Sequence, residues 1–249
     1  MGGEGIIKII KLGKTIIQVT ENFIFPKRCP ICDNIVGTKQ GICNNCEKRI
    51  VYIKENYCMK CGKPIDNAEQ ELCHDCDTKG HEFDVGRAVF LYNKPMKKAM
   101  YRFKYLNRRE YAEVFAQKIV EHLREQIVKW EVETIVPIPL HKEKLRQRGY
   151  NQAALVARKV GEELGIPVDE KILARERKTG AQKSLNNLQR KNNLKNAFKI
   201  RQNDVQLKKV LLIDDIFTTG STMDAASEAL KKSGVKSVYC VSVSLGDGY

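Results

Sequence analysis

Four CxxC pairs before residue 77 constrain this chain more than any other feature: Cys29/Cys32, Cys43/Cys46, Cys58/Cys61 and Cys73/Cys76, spaced by 10, 11 and 11 residues. A CxxC turn aims two thiolates at one point, and two such turns complete the tetrahedral four-sulfur site that structural zinc takes. A disulfide framework suits an exported protein, yet nothing in these residues suggests export and adjacent CxxC pairs make poor loop-closing bridges. A redox CxxC normally occurs once beside a βαβ unit, and the absence of CxxCH excludes covalent haem attachment. The same thiols are also competent for an iron–sulfur cluster; two structural zinc ions are the reading adopted. Sequential pairing places Cys29, Cys32, Cys43 and Cys46 on one ion and Cys58, Cys61, Cys73 and Cys76 on the other. The spacing also permits an interleaved pairing. His74 and His81 are alternative ligands, read as bystanders because eight cysteines suffice, and Cys240 reads as a buried small hydrophobe.

A zinc-stapled segment of this size leaves room for one ordinary domain in a chain of 249 residues. The boundaries expected are an N-terminal helical segment over 1–25, the four-CxxC domain over 26–80 and a larger domain over 81–249. Lys8, Lys11 and Lys14 interrupt the isoleucine-rich start, so no segment supplies the roughly 20 apolar residues of a membrane span. That start suits either a basic amphipathic helix on a membrane surface or packing on the rest of the protein. Of the net charge of +14, only +2 lies in residues 1–80 (12 basic, 10 acidic), so +12 belongs to the remainder and favours anionic partners there.

After Cys76 the pattern alternates between strand-like and helix-like pieces. FDVGRAVFLY (83–92), TIVPIP (134–139), VLLI (210–213) and SVYCVSVSL (237–245) read as strands. Helices read over 109–129, over 151–164 with Asn151 as cap and Gly165 and Pro167 as its end, and after residue 222 to Gly234. Strands alternating with helices of this length imply an α/β fold with a mostly parallel sheet flanked by helices.

Ligands of such sheets bind beyond the carboxyl ends of the strands. VLLIDDIFTTGST (210–222) lies at such an end. The backbone N–H groups of Thr218, Thr219, Gly220, Ser221 and Thr222 can converge on a phosphate at a helix N-terminus, with hydroxyls as added donors. Asp214 and Asp215 would repel phosphate, so they suit sugar hydroxyls, to which carboxylates act as acceptors. The ligand implied is a phosphorylated sugar. Neither GxxxxGK[ST] nor GxGxxG occurs.

This stretch resembles the phosphoribosyl pyrophosphate signature of type I phosphoribosyltransferases. By that likeness Asp214 and Asp215 hold the ribose hydroxyls and residues Thr218 to Thr222 the 5′-phosphate. PIPLHKEKLRQRGYNQA (137–153) sits where those enzymes place a pyrophosphate loop, and residues 175–198 where they place a lid. Together with the cysteine ladder, Arg148, Gly149, Asn151 and Gln152, then Gln182, Leu185, Arg190, Asn193, Ala197 and Phe198, resemble the ComF family of competence-associated phosphoribosyltransferase-like proteins. The resemblance implies a type I phosphoribosyltransferase fold behind a zinc ribbon. It also implies a cytoplasmic protein near the inner face of the membrane that handles incoming single-stranded DNA with the competence helicase and other DNA-uptake proteins.

Charge agrees with a polyanionic partner. Residues 171–209 hold 12 basic and 2 acidic side chains, and residues 94–109 hold seven basic and no acidic ones. Tyr101, Phe103 and Tyr105 interleave with Arg102 and Lys104, a mixture suited to base stacking and phosphate contact, although aromatics so spaced equally suit inward packing. As an enzyme, the chain would displace pyrophosphate with magnesium as clamp, and Lys178, Lys183 and Arg190 from the lid, with Arg146 and Arg148 from the other loop, would meet the departing group. No acceptor pocket is evident. The alternative is an active phosphoribosyltransferase of nucleotide or amino-sugar metabolism without a DNA role.

Overall fold

A computed structural model describes residues 26–37, 40–67, 69–176, 197–201 and 206–246. The helical segment expected over 1–25 lies outside them, as do Lys178, Gln182, Lys183, Leu185, Arg190 and Asn193 of the expected lid. In chain order the elements are α1 (Asn44–Glu47), α2 (His74–Thr78), β1 (Val85–Leu91), α3 (Lys94–Tyr105), α4 (Tyr111–Trp130), β2 (Thr134–Pro137), α5 (Lys142–Arg148), α6 (Gln152–Leu164), β3 (Leu173–Arg175), β4 (Phe198–Ile200), β5 (Lys209–Phe217), α7 (Ser221–Lys232) and β6 (Ser237–Leu245).

Four strands form one parallel sheet in the order β1-β6-β5-β2, and β3 and β4 form a separate antiparallel pair. Val210, Leu211, Leu212 and Ile213 are all fully buried, because a parallel strand covered on both faces needs a continuous apolar run rather than alternation. Leu211 and Ile213 join one core with α3, α4 and α6 residues, while Val210 and Leu212 join the other with Met223, Ala226 and Leu230 of α7. Local signals set the helix ends. The Asn151 side chain accepts from the Ala153 N–H at 3.2 Å, and Gly165 closes α6 with a left-handed φ of 69°, a conformation glycine adopts without steric cost.

Strand β5 runs four residues past the apolar VLLI stretch. The cause is its neighbour: β6 continues beside it, pairing Asp214 with Ser242, Ile216 with Ser244 and Phe217 with Leu245. The acid pair therefore stands in the last rungs of a ladder, not in the loop that follows.

Each set of four cysteines gathers in sequential order, its sulfurs all within 4.8 Å of one another. Cys32 and Cys43 Sγ lie 3.8 Å apart, and Cys61 and Cys73 Sγ 3.7 Å apart. A tetrahedral ion with Zn–S bonds of about 2.3 Å sets sulfur–sulfur distances near about 3.8 Å, so both sets fit zinc. His74 and His81 belong to neither set.

The cysteine-rich region sits across the sheet's β1 edge. Ile53 N–H donates to Val89 O at 2.9 Å and Leu91 N–H to Val51 O at 2.9 Å, so residues 51–53 pair with and cover a strand edge that would otherwise be open. Cys29, Ile31, Ile42, Cys46 and Ile50 join the core on the α4 side, whereas Cys58, Cys61 and Cys76 join the core on the α7 side. One thiol set thus serves each face of the sheet. Freshly purified protein is expected to contain two zinc ions per chain by elemental analysis, and Cys61→Ser/Cys76→Ser to retain one with a lowered melting temperature. Metal-free wild type that melts normally would contradict this.

Candidate functional site

Side-chain alternation divides the acid pair: Asp214 follows Val210 and Leu212 toward the α7 face, and Asp215 follows Leu211 and Ile213 toward the α3 face. Asp215 is buried and forms an ion pair with Lys104 Nζ, from the last turn of α3, at 2.9 Å. Its backbone N–H donates to Asp214 Oδ1 at 2.8 Å. Burial, then the neighbouring Asp215 carboxylate, push the Asp214 carboxyl up to about 7, while Lys104 and Arg175 act against the rise.

Residues Thr218 to Met223 line a small concavity together with Asp214. Helix α7 starts at Ser221, and its first N–H groups have no partner within the helix, so the loop is a ready anion cradle. Gly220 is required twice over. Its φ is +78°, and a Cβ there would lie 2.5 Å from His81 Cε1. Thr219 and Ser221 hydroxyls lie 2.9 Å apart. Asp224, in the same helical turn, points its carboxylate elsewhere: His81 Nδ1 lies 3.0 Å from Oδ2, and the Glu82 N–H donates to Oδ1 at 2.9 Å.

Cations crowd the other side of the acids. Lys144 of α5 is held below its ordinary value by burial, then by Arg175, Arg148 and Lys104, with Asp215 opposing. Arg175 is likewise lowered by burial and raised by Asp214. Crowded like charges beside two carboxylates are an arrangement that a bound anion would relieve, which is why perturbed groups of this kind concentrate at functional sites. Arg148 donates to Gln152 Oε1 at 2.9 Å and to the Tyr105 hydroxyl at 3.2 Å, with its guanidinium 5.0 Å from the centre of the Tyr105 ring. Arg146 is exposed on the last turn of α5.

Lys104 therefore joins the acid pair by direct contact, while Lys144 and Arg175 act on it electrostatically; no sequence signal assigns Lys104 to the acids. No local signal identifies Lys144 or Arg175. Of the two readings that residues 101–105 allow, phosphate contact does not describe Lys104 or Arg102: Lys104 neutralises Asp215 and Arg102 donates to Ile31 O at 3.1 Å. The aromatic trio also divides, because residues 94–105 are helical: Phe103 is fully buried, while Tyr101 and Tyr105 are 57% and 54% exposed.

The raised Asp214 carboxyl makes a signed prediction. The folded chain holds that proton from the ordinary carboxylate range up to about pH 7, so ionisation costs stability as pH rises through that window. Asp214→Asn is expected to exceed wild type by roughly 1–3 kcal/mol at pH 8 and to match it near pH 4. Chemical denaturation across pH checks this, and a difference independent of pH would contradict it.

The family model described as "Phosphoribosyl transferase domain" matches residues 116–246, and that described as "Double zinc ribbon domain" matches residues 21–77. Competence protein F of Haemophilus influenzae is 32% identical over 221 residues, covering 86% of this chain and 95% of that protein. Competence protein ComFC of Streptococcus pneumoniae is 33% identical over 169 residues, covering 67% and 71%. DNA utilization protein YhgH of Escherichia coli is 29% identical over 169 residues, covering 67% and 74%. No helix among the described residues is long and apolar enough to cross a membrane. Since the Haemophilus likeness spans nearly that whole protein and both domain models match in the same order as the two structural parts, the chain belongs to the competence protein F/ComFC family, with a double zinc ribbon joined to a phosphoribosyltransferase domain.

Proposed function

We propose that this chain binds phosphoribosyl pyrophosphate through the carboxyl end of β5 and handles incoming single-stranded DNA in the cytoplasm during natural competence. The observation that carries the first part is the division of labour at one strand end. Asp214 shares a concavity with the Thr218–Met223 loop, so hydroxyl-accepting carboxylate and phosphate-binding N–H groups face one small volume.

In this reading Asp214 and Asp215 accept hydrogen bonds from the ribose hydroxyls, and Thr218, Thr219, Gly220, Ser221 and Thr222 take the 5′-phosphate. The pyrophosphate lies toward Lys144, Arg175 and Arg148, with Arg146, Lys178, Lys183 and Arg190 as further cationic contacts. Magnesium, held by pyrophosphate oxygens and one or both acids, would neutralise charge on the departing group. Ionised carboxylates are the competent form, so affinity should rise with pH as Asp214 loses its proton.

Helix α3 supports the DNA part. Lys94, Lys97, Lys98, Tyr101 and Tyr105 are all exposed and recur at the spacing of one helix face. They extend over about 16 Å. The two tyrosine rings lie 5.2 Å apart, and Lys94 and Lys98 line a concavity with Arg49 of the zinc-binding region. Cations with exposed aromatic rings give a single strand both phosphate contacts and stacking surfaces. Relatives named for competence and DNA utilization agree with this role.

Calorimetric titration with phosphoribosyl pyrophosphate and magnesium is expected to give binding that Asp214→Asn/Asp215→Asn weakens by two orders of magnitude or more, with zinc content unchanged; undiminished binding would contradict the assignment. For DNA, Lys94→Ala/Lys97→Ala/Lys98→Ala should flatten the plot of log affinity against log salt by about 2. Tyr101→Ala should cost about 1–3 kcal/mol. Wild-type affinity and salt dependence in both variants would place DNA elsewhere.

A further inference from the structure

His81 follows the last cysteine pair and is not a ligand of either thiol set. Its side chain is nonetheless only 7% exposed. The ring stacks on Phe83 with centroids 4.5 Å apart and meets Phe217, the last residue of β5, edge-on at 6.0 Å. On one side it rests on Phe83, which packs in one core cluster with Cys58, Cys61 and Cys76. On the other it meets the phosphate loop twice. Nδ1 lies 3.0 and 3.1 Å from the two Asp224 carboxylate oxygens, and the ring fills the space where a Cβ of residue 220 would stand.

These contacts have two consequences for the loop. The ring fixes how closely the Gly220 backbone approaches the ribbon, and so where the first N–H groups of α7 point. It also occupies the Asp224 carboxylate, an acid in the first turn of the very helix whose N-terminus would receive a phosphate. Left unpartnered, that acid would oppose an anionic ligand. The neighbouring chain reinforces the link, since Glu82 N–H donates to Asp224 and Lys231 of α7 pairs with Asp84 at 3.1 Å.

We propose that His81 is a positioning residue that couples the second zinc site to the phosphate-binding loop: Phe83, packed with Cys58, Cys61 and Cys76, holds the imidazole, and the imidazole fixes Gly220 and Asp224. The inference rests on the phosphosugar reading for its ligand but not for its mechanics. A partner that orients groups one step removed from a metal is a general feature of such sites.

The experiment compares wild type with His81→Leu, which loses the polar link, and His81→Asn, which keeps a donor near the Nδ1 position. Three quantities are measured in the full chain: zinc content, amide hydrogen exchange over residues 219–224, and the Kd for phosphoribosyl pyrophosphate. The expected result for His81→Leu is two zinc ions retained, clearly faster exchange confined to that loop, and a Kd raised about tenfold. His81→Asn should restore most of both. The proposal is overturned if His81→Leu leaves exchange unchanged, if it loses one zinc, which would make His81 a prop of the ribbon, or if His81→Asn fails as fully as His81→Leu, which would leave only ring packing. Should His81→Leu not fold, Asp224→Ala removes the acceptor instead and is judged by the same loop exchange. If wild type binds no phosphoribosyl pyrophosphate, the exchange measurement still decides the role of His81, and the phosphosugar reading alone fails.

Discussion

A parallel sheet must be covered on both faces, and nearly everything else in this molecule answers to that requirement. Strand β5, at the centre with β6, spends its apolar residues on two cores at once. Among the described residues the edge strand β1 has one side without a strand of its sheet, and the cysteine-rich region closes it with residues 51–53. That region has too few apolar residues for a core of its own, so metal-held knuckles replace one, and each knuckle adds its buried cysteines to a different face of the sheet. The zinc ribbon is thus part of the packing of the larger domain.

The same requirement concentrates polar chemistry at the strand ends. Once the apolar run of β5 is used up, the ladder with β6 still holds Asp214 and Asp215 in extended backbone. Alternation then sends one carboxylate toward the loop before α7 and the other toward Lys104. Helix α3 works on two sides. Its inner side supplies Met96, Met100 and Phe103 to the core and Lys104 to the acid pair, while its outer side presents Tyr101 and Tyr105. A raised carboxyl at Asp214 and a lowered ammonium at Lys144 cost stability, a cost that the proposed ligand would offset.

Local chemistry was legible in the sequence, and long-range pairing was not. Cysteine spacing located both four-sulfur sets, since a CxxC turn carries its geometry within four residues. Strand β6 follows SVYCVSVSL residue for residue, and Asn151 caps α6 as its side chain suggests. The end of β5 was misjudged because a strand's length depends on its neighbour, and acids are poor strand formers in isolation. The aromatics of α3 looked alternating at a period of two, but a period of 3.6 separates Phe103 from its neighbours. Arg102 and Arg108 add to the positive charge of residues 94–109, yet they hold Ile31 O and Asp33 of the zinc-binding region. His81 is no zinc ligand, as its eight neighbouring cysteines imply, but its place against the loop is not visible in the sequence because its partners, Gly220 and Asp224, lie more than a hundred positions away.

The central claim is that hydroxyl-accepting acids and a phosphate-binding loop share one sugar-phosphate at the end of β5. A crystal structure of the protein grown with phosphoribosyl pyrophosphate and magnesium tests it most directly. The account predicts ribose hydroxyls within hydrogen-bond distance of Asp214 or Asp215, with the 5′-phosphate on the N–H groups of residues 219–222. Ligand density bound away from the acid pair, or a phosphate seated anywhere but that loop, would contradict it.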